Sequence, residues 1–91
     1  FSRELKALGS QKDIFIPITT SGNSENIIEA VKTANDKKLK SFALTGATGG
    51  SLIKFCECIK VPSTKVPRIQ ECHILIGHLL CQIVEEGLFK L

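Results

Sequence analysis

The 91-residue sequence contains no methionine, no long uninterrupted apolar run and no basic stripe. Each absence excludes something. Phe1 opens the chain inside a helical pattern with no initiator methionine, so the sequence is expected to be a piece of a longer protein. No apolar stretch approaches the roughly 18 residues of a membrane span, and no secretory signal is visible. No membrane partner is expected. Lys and Arg outnumber Asp and Glu by 12 to 9, but the lysines are scattered. The densest group, Lys37, Lys38 and Lys40, reads as a solvated helix end and turn, so no nucleic-acid partner is expected. Two phosphate-binding signatures are also missing. The GxxxxGK[ST] lysine is absent, so nucleotide triphosphate hydrolysis is not indicated, and there is no GxGxxG.

What remains is an ordinary soluble composition, with 43% hydrophobic and 23% charged residues. Ninety-one residues make one domain at most, small for a self-sufficient core. The four cysteines are Cys56, Cys58, Cys72 and Cys81. Two stand in a strand-like stretch and two in an apolar helix. Buried free thiols of a cytoplasmic protein explain them better than disulfides do.

The elements read in order as helix, strand, helix, strand, short helix, strand, long helix. Phe1 to Leu8 ends a helix at Gly9. Asp13 to Thr19 is an apolar strand without clear alternation, as suits a strand covered on both faces, although Pro17 cannot donate to a ladder. Ser24 to Asn35 is an amphipathic helix with Ser24 as its N-cap. Lys40 to Thr45 and Glu57 to Val61 are strands, flanking a short helix over Ser51 to Phe55. Pro62 to Pro67 is a loop, and Arg68 to about Phe89 a long helix. Strands separated by helices imply an α/β fold with a parallel sheet. The loops at 19–24, 45–50 and 62–70 fall at the carboxyl ends of the strands, where open α/β sheets bind ligands. The last helix is apolar nearly all round, more than one sheet face needs. A second partner is expected there, either preceding chain or another subunit.

The run Thr19-Thr20-Ser21-Gly22-Asn23-Ser24 sits where a strand turns into a helix. Unpaired N–H groups and the positive end of the helix dipole meet there, which favours phosphate. Four hydroxyls exceed what one N-cap needs, and Gly22 would let backbone approach a ligand closely. Cradling by hydroxyls without a lysine suits a sugar phosphate that is held and not cleaved. Arg68 reads either as a phosphate contact or as a partner of Glu71 or Glu85. The turn at 46–50 reads slightly better as a connector than as pocket lining.

Set beside Leu44-Thr45-Gly46-Ala47-Thr48-Gly49-Gly50, Val61-Pro62-Ser63 and Pro67-Arg68-Ile69-Gln70-Glu71-Cys72-His73-Ile74-Leu75-Ile76-Gly77-His78, this run resembles the sugar isomerase (SIS) domain family. The RIQE-x-H-x-x-x-x-H pattern resembles its phosphoheptose isomerase group more specifically. The resemblance covers essentially all 91 residues and implies the C-terminal portion of a single SIS domain, a three-layer sandwich. It implies substrate contacts at Thr19, Thr20, Ser21, Ser24 and Gln70. It also implies acid/base catalysis at His78 and a zinc ion bound by Gln70 and His78. The implied partners are a sugar phosphate and further copies of the chain in a homotetramer. The implied reaction interconverts sedoheptulose 7-phosphate and a heptose 7-phosphate for lipopolysaccharide. A non-catalytic SIS protein that binds the replication initiator, or a sugar-phosphate-sensing regulatory domain, stands as the alternative. Pro67 departs from the family, where some members carry an acid.

The two histidines differ. His73 and His78 lie five residues apart, about 140° around a helix, and are not expected to share one face. His73 reads as a satisfied core group. Gln70 and His78 are roughly 12 Å apart along the axis, a stretch for two ligands of one zinc at about 2 Å each. Gln70 and His73 are better spaced. Either two of these side chains converge on a ligand between them, or a neighbouring subunit supplies one.

Overall fold

The computed structural model describes residues 1–89. It has three parallel strands in the order β1-β2-β3, formed by Ile14–Phe15, Lys40–Thr45 and Glu57–Lys60. Helix α1 is Ser2–Leu8, α2 is Glu25–Asp36 and α3 is Val66–Phe89; a short 3₁₀ helix, Gly50–Lys54, links β2 to β3. The α/β class and the alternation of elements are as the sequence indicates.

The first strand is shorter than the apolar run. Only Ile14 and Phe15 make a ladder, against Lys40 and Ser41, and contact resumes beyond Pro17 as one bridge between Ile18 and Leu44. Pro17 breaks the donor pattern, yet its carbonyl still accepts from the Leu44 N–H at 2.9 Å. The expectation that this strand is covered on both faces is corrected. Side chains alternate across a strand; Phe15 and Pro17 turn inward, while Ile14, Ile16 and Ile18 are exposed.

The core lies on one side of the sheet. Val31 of α2, Ala43 of β2 and Leu52 of the 3₁₀ helix are fully buried together, with Phe15, Ile27, Ile28, Phe55, Cys56 and Cys58 packed round them. Helix α2 ends without glycine. Lys38 takes φ +63°, and the N–H groups of Lys38 and Leu39 return to the carbonyls of Asn35 and Ala34. This is a Schellman end with lysine in the position glycine usually takes. Lys37 is not simply solvated: its Nζ donates to the carbonyls of Leu5 and Lys6 at 3.0 and 2.7 Å, placing a cation at the negative end of α1.

Helix α3 starts two residues earlier than the sequence indicates, so Val66 and Pro67 belong to its first turn, where proline is tolerated. Only Ile69 and His73 of its residues are buried. The apolar excess read from the sequence is real, with Ile74, Leu75, Ile83, Val84 and Leu88 each more than half exposed. By length and composition alone α3 could cross a membrane, contrary to the reading that nothing in the chain approaches a span.

The cysteines are free, but they are not deeply buried: Cys56, Cys58 and Cys72 are half-buried and Cys81 is exposed. Burial raises the Cys56 thiol from 9.0 to about 11, with the adjacent Cys58 adding to it. Thiolate is the reactive form, so at pH 8 folding should slow alkylation of Cys56 about 100-fold relative to the denatured chain. Raising the pH towards 11 should close that gap. Peptide mapping after iodoacetamide treatment measures both rates.

Candidate functional site

The segment after β1 and the first half of α3 surround an open cavity of about 680 Å³, lined by Ile18, Thr19, Thr20, Gln70, His73, Ile74, Gly77 and His78. A second cleft of about 300 Å³ is lined by Thr20, Ser21, Ala47, Thr48, Ser63, Thr64, Val66 and Ile69. Thr20 belongs to both. The first holds a carboxamide, two imidazoles and apolar walls; the second is lined chiefly by hydroxyls. A ligand with a reactive head and a hydroxylated or anionic tail matches that division.

Of the residues singled out in the sequence, Thr19, Thr20, Gln70 and His78 come together in the larger cavity, and Ser21 stands in the adjoining cleft. Ser24 lines neither. It is the N-cap residue of α2, but its hydroxyl makes no cap hydrogen bond. That leaves the hydroxyl and the first amides of α2 available to an anion.

The hydroxyls of the turns are oriented by their own backbone. Thr19 Oγ1 accepts from the Gly22 N–H at 3.3 Å, and Ser21 Oγ from the Asn23 N–H at 3.1 Å. Thr48 Oγ1 accepts from the Gly50 N–H at 3.2 Å and Ser63 Oγ from the Lys65 N–H at 3.1 Å. A hydroxyl that has accepted a backbone proton keeps its own proton to donate. Such a set suits phosphate or sugar oxygens.

The turn at 46–50 is more than a connector. A Cβ on Gly22 would overlap the carbonyl of Gly49, and one on Gly50 would overlap the carbonyl of Ser21. Gly22 and Gly49 have φ of +72° and +75°. The two turns therefore lie backbone against backbone. Asn23 Oδ1 accepts from the Ser51 N–H at 2.8 Å and the Gly22 carbonyl from the Leu52 N–H at 3.1 Å. Gly46 extends the contact: its N–H donates to the Thr20 carbonyl at 3.1 Å, and a Cβ there would stand 2.7 Å from that oxygen.

His73 and His78 lie on different sides of α3, as the sequence indicates, yet both border the larger cavity. The cavity wraps round a broad arc of α3. His73 forms its inner wall, 4% exposed, with Nε2 2.9 Å from the carbonyl oxygen of Thr45. His78 lies at the exposed rim, past Gly77, whose missing side chain leaves open space. The reading of His73 as a satisfied core group holds for Nε2 alone, since Nδ1 is buried without a partner. Arg68 pairs with Glu71 at 2.7 Å and turns away from both cavities. Thr48, Ser63 and Thr64 were missed as pocket residues. Their signal was their place in loops at the carboxyl edge of the sheet.

The implied zinc finds two donors here, Gln70 and His78, on one helix. Among the described residues no group of three or more His, Cys, Asp and Glu side chains converges to hold a metal. Zinc takes three protein ligands and a water, or four protein ligands. The residues of this chain do not make that site by themselves.

No family model matches the chain. It is 54% identical over 91 residues to the phosphoheptose isomerase of Aneurinibacillus thermoaerophilus, covering 99% of this chain and 46% of that protein. Phosphoheptose isomerase 2 of Campylobacter jejuni is 54% identical over 90 residues, covering 98% and 45%. The solved structure of a phosphoheptose isomerase from Francisella tularensis superposes with a TM-score of 0.89 at 44% identity, over 94% of this chain and 49% of that one. The chain thus spans about half the length of the relatives it matches. The chain is a homologue of the phosphoheptose isomerases over about half of their length.

Two substitutions separate scaffold from site. Gly22→Ala should destabilise the fold by at least about 1–2 kcal/mol from its left-handed backbone alone, more once the clash with Gly49 is relieved. Ser24→Ala should cost under about 0.5 kcal/mol, below the usual range for losing an N-cap, because there is no cap bond to lose. Urea unfolding of both variants checks this pair.

Proposed function

We propose that this chain is the C-terminal portion of a single SIS domain in a phosphoheptose isomerase, which converts sedoheptulose 7-phosphate to D-glycero-D-manno-heptose 7-phosphate. One observation carries the reading: Gln70 and His78 face Thr19 and Thr20 across one cavity. The names of the relatives support it.

The chemistry is aldose–ketose isomerisation. A base removes a proton from the carbon beside the carbonyl, an enediol forms, and the proton returns to the neighbouring carbon. His78 is suited to holding that proton, since imidazole exchanges protons near neutral pH. Gln70 donates its amide protons to substrate oxygens and fixes their direction. The hydroxyls of Thr20, Ser21 and Ser24, with the first amides of α2, take the phosphate. The second acid/base group comes from outside this chain, as does at least one more donor for zinc at Gln70 and His78.

The exposed apolar side of α3 supports assembly with further copies, as a homotetramer. The free thiols fit a cytoplasmic protein, and the product would feed nucleotide-activated heptose for lipopolysaccharide.

In the full-length protein, His78→Ala should lower kcat at least about 100-fold, the usual scale of an acid/base group, with binding of the sugar phosphate retained. Ser24→Ala should raise KM with little change in kcat. A coupled assay on sedoheptulose 7-phosphate reads both; wild-type turnover in His78→Ala sinks the assignment.

A further inference from the structure

A 24-residue helix carries Gln70 and His78, yet only Ile69 and His73 of its residues are buried. Ile69 contributes apolar contact beside Gly46. Apolar contact is not directional, so it leaves the rotation of α3 loosely set. His73 supplies the direction. Its Nε2 lies 2.9 Å from the carbonyl oxygen of Thr45. A carbonyl can only accept, so Nε2 carries the ring proton, and Nδ1 is left a lone pair with no partner.

That carbonyl is a fixed point. Thr45 is fully buried and ends β2. Its carbonyl also accepts the Val61 N–H at 3.0 Å, and its hydroxyl donates to the Gly46 carbonyl at 3.0 Å. Gly46 in turn donates its N–H to the Thr20 carbonyl. One short path, His73 to Thr45 to Gly46 to Thr20, joins the helix of the imidazole and carboxamide to the turn of the hydroxyls.

We propose that His73 is a positioning residue: its hydrogen bond to Thr45 sets where Gln70 and His78 stand relative to Thr19 and Thr20. This rests on the isomerase reading above. Gln70 and His78 lie only about 4.5 and 7.5 Å along the axis from His73, so a small rotation there moves both. The positioning role belongs to the Nε2 hydrogen bond; Nδ1 is buried without a partner.

The test uses the full-length protein, with kcat/KM measured well below the melting temperature. His73→Phe keeps the ring's bulk and removes the donor. It should lower kcat/KM roughly 10- to 100-fold, the scale of an ångström misplacement. His73→Gln, whose amide reaches the same carbonyl, should recover most of that. His73→Asn, whose amide falls short, replaces the phenylalanine variant should that one not fold. In a Gln70→Ala background the loss from His73→Phe should shrink, because a side chain it positions is gone. Wild-type kcat/KM in His73→Phe with only a lower melting temperature would overturn the proposal. So would losses that multiply independently in the double variant. Absence of wild-type turnover on sedoheptulose 7-phosphate overturns the isomerase reading instead. The same variants are then compared by calorimetric affinity for that sugar phosphate, and an unchanged affinity in His73→Phe overturns the positioning role.

Discussion

The backbone contact between the two glycine turns is the constraint on which the site depends. Gly22 and Gly50 leave no room for a Cβ against Gly49 and Ser21. The turn after β1 therefore cannot move without the turn after β2. That contact holds Thr19, Thr20 and Ser21 at fixed places beside the start of α2. It also explains why the hydroxyls accept protons from their own backbone and not from a helix cap. Their oxygens are spent on holding the turn, and their protons are left for a ligand.

The same chain is incomplete where it meets its surroundings. From Ile74 onward α3 exposes large apolar side chains, and Ile14, Ile16 and Ile18 do the same on the open face of the sheet. Fully burying one such side chain is worth about 1.5–3 kcal/mol. Covering six of them would match or exceed the roughly 5–15 kcal/mol net stability of a typical domain. Burial on that scale belongs to a core or a permanent interface and not to a passing contact. The half of the site that is well ordered by this chain, the hydroxyl turn, is also the half that rests on its own core.

The sequence made the fold legible wherever one local rule acted alone. Lys40 to Thr45 is a strand in both readings, because an apolar run between a lysine turn and a glycine turn has no competing pattern. The strand at Asp13 to Thr19 was overextended. Its missing alternation came from an open sheet face lined by isoleucines, and apolar content could not tell exposed isoleucine from buried. At the site, the residue types of 19–24, Gln70 and His78 were readable as chemistry. The brace between Gly22 and Gly49 was not, because it joins positions 27 residues apart and its mark is only the absence of side chains. The helical wheel separates His73 and His78 correctly, but a broad cavity spans more of a helix than one face.

The eight residues between Gln70 and His78 are a stretch for two ligands of one zinc. Both side chains nevertheless border one cavity. A sugar chain with a carbonyl at one end and a phosphate at the other is itself an extended ligand. A helix lying alongside it can present both a carboxamide and an imidazole to it. The cost is that two contacts on one rigid rod share every error in the rod's placement. An apolar residue such as Ile69 cannot remove a rotational error, whereas one directional bond to a buried carbonyl can. A polar group buried in an otherwise apolar helix face is therefore what a site of this shape requires.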